Sequence, residues 1–175
     1  NASLLETVIA HEVSHQWWYQ LVGNDEIDEG FLDESLACWS HNYYVEVYYG
    51  NWSAFQDPPL VEIVRRYDSE SGLPCRINQS AEEYPGNYAY AAYVKAPVIL
   101  EKLRHLVGHD TFIEALRYYF RNNKFGIATF KDLQAAFESV MGKSMDWFFT
   151  AWFDNPYLPQ YDIVRAEWSM ATQTL

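Results

Sequence analysis

Apolar residues near the start of the chain recur at Leu4, Leu5, Val8, Ile9, Val13, Trp17 and Leu21, the spacing of one helical face. The pattern predicts a helix from Leu4 to Val22, stopped by Gly23 and Asn24. An acidic stretch, Asp25 to Glu29, leads to Gly30. A second helix is expected from about Asp33 to Tyr49, ended by Gly50-Asn51. Pro58-Pro59 opens a shorter helix to about Tyr67, and Asp68 to Asn87, with Gly72, Pro74, Pro85 and Gly86, reads as loop. Val98, Ile99, Leu100, Leu103, Leu106 and Val107 predict a helix with Pro97 in its first turn. Thr111 to Asn122 follows, with a capping-box pattern from Thr111 to Glu114. Two more helices span about Phe130 to Met141, stopped by Gly142, and Met145 to Phe153, stopped by Asn155-Pro156. After Pro159 the period changes. Val164, Ala166 and Trp168 alternate with Arg165 and Glu167, as in a strand. A lone strand is not stable by itself, so a further domain is expected beyond it. The expected architecture is mainly α: residues 1–159 form a helical unit and residues 160–175 a strand leading out of it.

Composition narrows the partners. Twelve Lys plus Arg stand against 24 Asp plus Glu, a net charge of −12. Such an excess of acid repels nucleic acid and anionic membrane surfaces. No apolar run is long enough to span a bilayer. Two cysteines, Cys38 and Cys75, do not build a disulfide framework, and Cys38 is expected to be a small buried residue. The 175 residues contain no signal-peptide pattern, and with Asn rather than Met at position 1 the compartment stays open.

The chemistry is concentrated in His11-Glu12-Val13-Ser14-His15. Residues four apart on a helix are neighbours, so two imidazoles at this spacing can converge on one metal ion. Glu12 is rotated round the helix by about 100°, which places it beside the metal and not on it. A base stands there to take a proton from water at the metal. The spacing is the HExxH zinc-hydrolase signature. A catalytic zinc usually has three protein ligands and one open position. Glu34, at the start of the second helix and separated from His15 by Gln16 to Asp33, is the candidate third. Glu29, Glu46 and His41 are alternatives.

The run His11-Glu12-Val13-Ser14-His15-Gln16-Trp17-Trp18, then Gly23-Asn24, then Phe31-Leu32-Asp33-Glu34-Ser35-Leu36-Ala37 resembles the alanyl aminopeptidase family of zinc exopeptidases, gluzincins with a thermolysin-like catalytic domain. The resemblance implies that His11, His15 and Glu34 bind one zinc ion and that Glu12 is the general base and proton shuttle. It further implies that this chain is the zinc helix and helical lobe of such a domain. Tyr93-Val94-Lys95-Ala96 resembles the family's Y-x-K-G motif, whose tyrosine stabilises the tetrahedral intermediate. A phenol is a suitable second donor to a developing oxyanion. Tyr84, Tyr88 and Tyr90 are rivals, and Ala96 followed by Pro97 departs from the motif. Trp147 to Phe153, then Pro156 and Pro159, resembles the segment that ends the family's helical lobe.

Zinc-dependent hydrolysis of peptides, most simply as an aminopeptidase, is therefore the expected activity, with peptides as substrates. An endopeptidase of the same class, a relative that also opens lipid epoxides, and a catalytically dead scaffold are the rival activities. The family's amine-binding G-x-M-E-N motif and the sheet forming the other cleft wall lie upstream of the zinc helix and are not in these residues. The 175 residues alone are expected to hydrolyse peptides poorly and to hold zinc weakly, completed only by further N-terminal and C-terminal parts of the same chain.

Overall fold

The first helix is shorter than its apolar spacing predicts: α1 covers Leu4–Ser14 in a computed structural model that describes residues 4–50 and 75–157. Helical geometry reaches the second histidine, because His15 N donates to His11 O at 3.3 Å. Gln16 and Trp17 then donate only three residues back, to Val13 O and Ser14 O, and Tyr19 takes a φ of 106°. Tightening followed by a left-handed residue ends the helix. Trp17 and Leu21 are thus not part of one helical face. The apolar stripe of α1 also faces outward, with Leu4, Leu5, Val8, Ile9 and Val13 all exposed and Ser14 its one buried residue.

The chain then makes a two-residue strand β1, Val22–Gly23, which pairs in parallel with β2, Gly126–Ile127. Periodicity cannot reveal a pair this short. α2, Phe31–Tyr49, is the central helix and buries Phe31, Leu32, Leu36, Trp39 and Val45. Gly50 ends it with a φ of 74°. Gly30 sits at its start, where a Cβ would lie 2.5 Å from Glu26 O, so no larger residue fits without a shift. The Gly30 carbonyl also accepts the Tyr88 hydroxyl at 2.9 Å, tying the start of α2 to the segment that carries Tyr93.

That segment is a single helical passage of three parts: α3 (Tyr88–Tyr90), a π turn (Ala91–Lys95) and α4 (Ala96–Val107). The sequence opens a new helix at Pro97, whereas the structure carries the helix through it. Ala96 N bonds to Ala91 O, five residues back, and this wider turn sits directly ahead of the residue that lacks an N–H. Lys95 is fully buried, its ammonium donating to Cys75 O (2.9 Å) and Pro156 O (3.2 Å).

α5, His109–Asn123, begins two residues before Thr111, after Gly108, and no side chain caps it. The Thr111–Glu114 pattern therefore does not mark its start. α6, Phe130–Met141, follows the expected bounds, with Thr129 and Asp132 forming a capping box and Gly142 left-handed at φ 65°. α7, Asp146–Phe149, continues into a π turn, Thr150–Asp154. The core is aromatic: Phe31, Phe130, Phe149 and Phe153 pack ring on ring with centroids 4.8–6.4 Å apart. The architecture is mainly α, as expected. The expected helix after Pro58 and the strand Val164 to Trp168 lie outside the described residues.

Candidate metal centre

α1 and α2 pack against each other, and the Gly23-to-Gly30 segment turns the chain between them. Asn24 holds that turn, its amide donating to Glu29 O (3.2 Å) and Asp33 Oδ1 (3.1 Å). The result places Glu34, in the first turn of α2, over the two histidines of α1. His11 Nε2 lies 3.2 Å from Glu34 Oε2, His15 Nε2 lies 3.4 Å from the same oxygen, and the two nitrogens are 3.1 Å apart. A tetrahedral ion with bonds of 2.0–2.1 Å has ligand atoms about 3.3 Å from one another. The three donors thus form one face of such a tetrahedron, and a fourth vertex is left for water or substrate. Two imidazoles and a carboxylate are the donor types zinc takes in its catalytic sites.

The electrostatics reflect this closeness. Hydrogen bonding to Glu34 pushes the His15 imidazole up to about 9, against the opposing effect of burial. Burial raises the Glu34 carboxyl, but hydrogen bonds from His11, His15 and Tyr93 outweigh it and hold the acid well below the carboxylate range. Burial, then the bond to Glu34, pushes the Tyr93 phenol well above its ordinary value. A cavity of about 420 Å³ opens over the donors, lined among others by Glu12, Tyr93, Cys38 and His41. Glu12 is exposed there, adjacent to the donors and not among them.

The alternatives separate cleanly. Glu29 accepts from Phe130 N at 2.8 Å, at the start of α6, and Glu46 is clamped by Arg104 through bonds of 3.1 and 2.7 Å. Neither reaches the histidines. Tyr84 donates to Ile77 O, Tyr88 to Gly30 O, and Tyr90 is buried in the core; of the four tyrosines only Tyr93 lines the cavity.

The model of the "Peptidase family M1 domain" matches residues 1–152. The chain belongs to peptidase family M1. An aminopeptidase N of Lactobacillus helveticus is 30% identical over 169 residues, covering 94% of this chain and 20% of that protein. The tricorn protease-interacting factor F2 of Thermoplasma acidophilum is 27% identical over 162 residues, covering 90% of this chain and 21% of its own. The chain therefore spans about a fifth of the length of these relatives. An M1 zinc metallopeptidase from Deinococcus radiodurans, solved with a Tyr-Ser-Ala substrate, shares the fold with a TM-score of 0.69 at 22% identity, over 89% of this chain and 34% of that one. The helical unit is thus the helical lobe of an M1 metallopeptidase.

Around the candidate centre the structure adds residues that spacing did not reveal. His15 Nδ1 faces the Trp18 carbonyl at 3.1 Å and Asp33 Oδ2 at 3.7 Å, which orients its Nε2 toward Glu34. Asp33 is one residue before Glu34, so only the winding of α2 shows which carboxylate faces which nitrogen. His41, an alternative third ligand by sequence, stands against the other nitrogen of His11, with Nδ1 atoms 3.4 Å apart. Burial, then the nearby His11, brings its imidazole down to about 4. Cys38 is buried as expected, and burial pushes its thiol up to about 12. Trp18 packs inward with its indole donating to Ser40 Oγ (2.8 Å), while Trp17 is exposed. No helix among the described residues is long and apolar enough to cross a membrane.

Proposed function

We propose that these residues form the catalytic centre of a zinc-dependent aminopeptidase that releases N-terminal residues from peptides. The observation that carries this is the donor triangle of His11 Nε2, His15 Nε2 and Glu34 Oε2, with edges of 3.1–3.4 Å. When bound there, zinc supplies Lewis acidity that polarises the scissile carbonyl and acidifies the attacking water. Glu12, exposed beside the triangle, accepts the water's proton on its carboxylate and delivers it to the leaving amine. Tyr93 donates a hydrogen bond from its phenol to the oxyanion. Burial, then its bond to Glu34, keeps the hydroxyl protonated at the wall of the cavity. Asp33 and the Trp18 carbonyl keep the His15 ring turned toward the ion. Exopeptidase action is favoured by the relatives that are named aminopeptidase N.

The deciding experiment on the full-length protein is a substrate panel with free and blocked N-termini, run beside metal analysis. Release of single N-terminal residues only from free peptides, with one zinc per chain, is expected. Cleavage of blocked peptides at equal rates would remove the exopeptidase assignment.

Two substitutions test the supporting residues. Tyr93→Phe is expected to lower kcat by about 100- to 1,000-fold with little change in zinc content, the cost of one missing oxyanion donor. An unchanged kcat would hand the role to another group. Asp33→Ala is expected to weaken zinc binding by about 10- to 100-fold, measured by competition with a chelator. The same zinc affinity as in the parent protein would show that the Trp18 carbonyl alone orients His15.

A further inference from the structure

His11 offers a second nitrogen, and its surroundings are those of a ligand. Nδ1 of His11 lies 3.6 Å from Cys38 Sγ and 3.4 Å from His41 Nδ1, and all three atoms lie within 4.8 Å of one another. A tetrahedral ion with Zn–N near 2.0–2.1 Å and Zn–S near 2.3 Å sets edges of about 3.3 Å between nitrogens and about 3.6 Å between nitrogen and sulfur. Both measured edges at His11 match. Cys38 and His41 stand three residues apart on α2, on the face that meets α1 at His11. They also line the cavity over the donor triangle, so an ion reaches them from the same opening.

We propose that Cys38, His41 and Nδ1 of His11 form a second cation site, for a thiolate-preferring divalent ion such as Zn²⁺ or Cd²⁺, which shares His11 with the Glu34 triangle. One thiolate with two imidazoles is a soft-to-borderline donor set, which excludes Mg²⁺ and Ca²⁺. Binding displaces the Cys38 thiol proton to solvent while sulfur forms the new bond to the ion; nothing is oxidised or reduced. The shared ring sets the coupling. A neutral imidazole has one lone pair and one N–H, so it serves ions on both nitrogens only by giving up that proton as well. Occupation of one site therefore opposes occupation of the other. This site stands on the Cys38–His41–His11 geometry, and only the coupling rests on the zinc reading above.

The test is a Cd²⁺ titration of the full-length protein, with and without its zinc, followed by the ultraviolet thiolate-to-cadmium absorption and by metal content after desalting. The expected result is a thiolate band that saturates, is lost in Cys38→Ser and Cys38→Ala, and persists in Cys75→Ala. Prior zinc loading should weaken the apparent Cd²⁺ affinity at least about tenfold. A His41→Phe variant should weaken it as well in zinc-free protein. A band that survives both Cys38 variants overturns the site, as does no band in the parent protein. An affinity indifferent to zinc overturns the sharing of His11. If the as-purified protein contains no zinc yet shows the Cys38-dependent band, the zinc reading fails and the second site stands. Cys38→Ala swaps a buried thiol for a small apolar group, and far-ultraviolet circular dichroism identical to the parent's excludes misfolding as the cause of a lost band.

Discussion

Glu12→Gln in the full-length protein is expected to lose about 100- to 10,000-fold in kcat while zinc content stays at one per chain. The carboxamide has nearly the shape of the carboxylate but accepts no proton from water. Glu12 is on the exposed face of α1 and outside the donor triangle, so its replacement leaves the three ligands where they are. Assays of turnover and of metal content on the same sample check both halves. Normal turnover would remove Glu12 from the mechanism. Lost zinc together with lost turnover would show that the substitution acts through the ligands.

Glu34→Ala has the opposite signature: the metal itself is expected to leave. Two imidazoles from one helix are a poor cage, and the loss in zinc affinity should exceed the 10- to 100-fold typical of an outer partner. The same carboxylate holds the His15 proton, so the pH behaviour follows with a definite sign. His15 titrates at about 9 in the metal-free site, and zinc must displace that proton. Zinc affinity should therefore rise by about tenfold per pH unit from neutrality until roughly pH 9. In metal-free protein the His15–Glu34 contact adds stability that is full below the ordinary His value of 6.5 and is lost as pH rises through about 9. For Glu34, whose value is depressed, the contribution is present above 4.5 and is lost as the pH falls well below that. Glu34→Ala should flatten both limbs, read as thermal midpoints across pH in the presence of a chelator. A zinc affinity independent of pH between 6 and 9 would contradict the charge assigned to His15.

The helices most faithful to their sequence signals are those with local punctuation. α6 has its Thr129–Asp132 box and its left-handed Gly142, and α2 ends at Gly50. Each signal acts within a few residues, where backbone geometry and hydrogen bonding are settled locally. The errors share a different cause. Apolar residues from Leu4 to Leu21 keep helical spacing across a chain that stops being helical after Ser14, because Val22 and Gly23 must reach a partner strand more than 100 residues away. The passage from Tyr88 to Val107 ignores the break that Pro97 suggests, because a π turn widens the backbone just ahead of it. The stripe on α1 is apolar yet exposed, since periodicity reports a face and not what covers it.

By itself, the order of residues determined the chemistry on offer. Two imidazoles one helical turn apart, a carboxylate between them and another after eighteen intervening residues offer a candidate ligand set and a candidate base, since a helix turns by a known angle per residue. Only the folded chain decided which groups meet. The Asn24 turn brought Glu34 Oε2 to within 3.4 Å of both Nε2 atoms, Arg104 drew Glu46 away, and Phe130 occupied Glu29. It also set Cys38 and His41 behind His11, which no spacing rule foretells. Contacts between α1 and α2 depend on how two helices cross, and that crossing is fixed by packing across the whole core, not by neighbours in the chain.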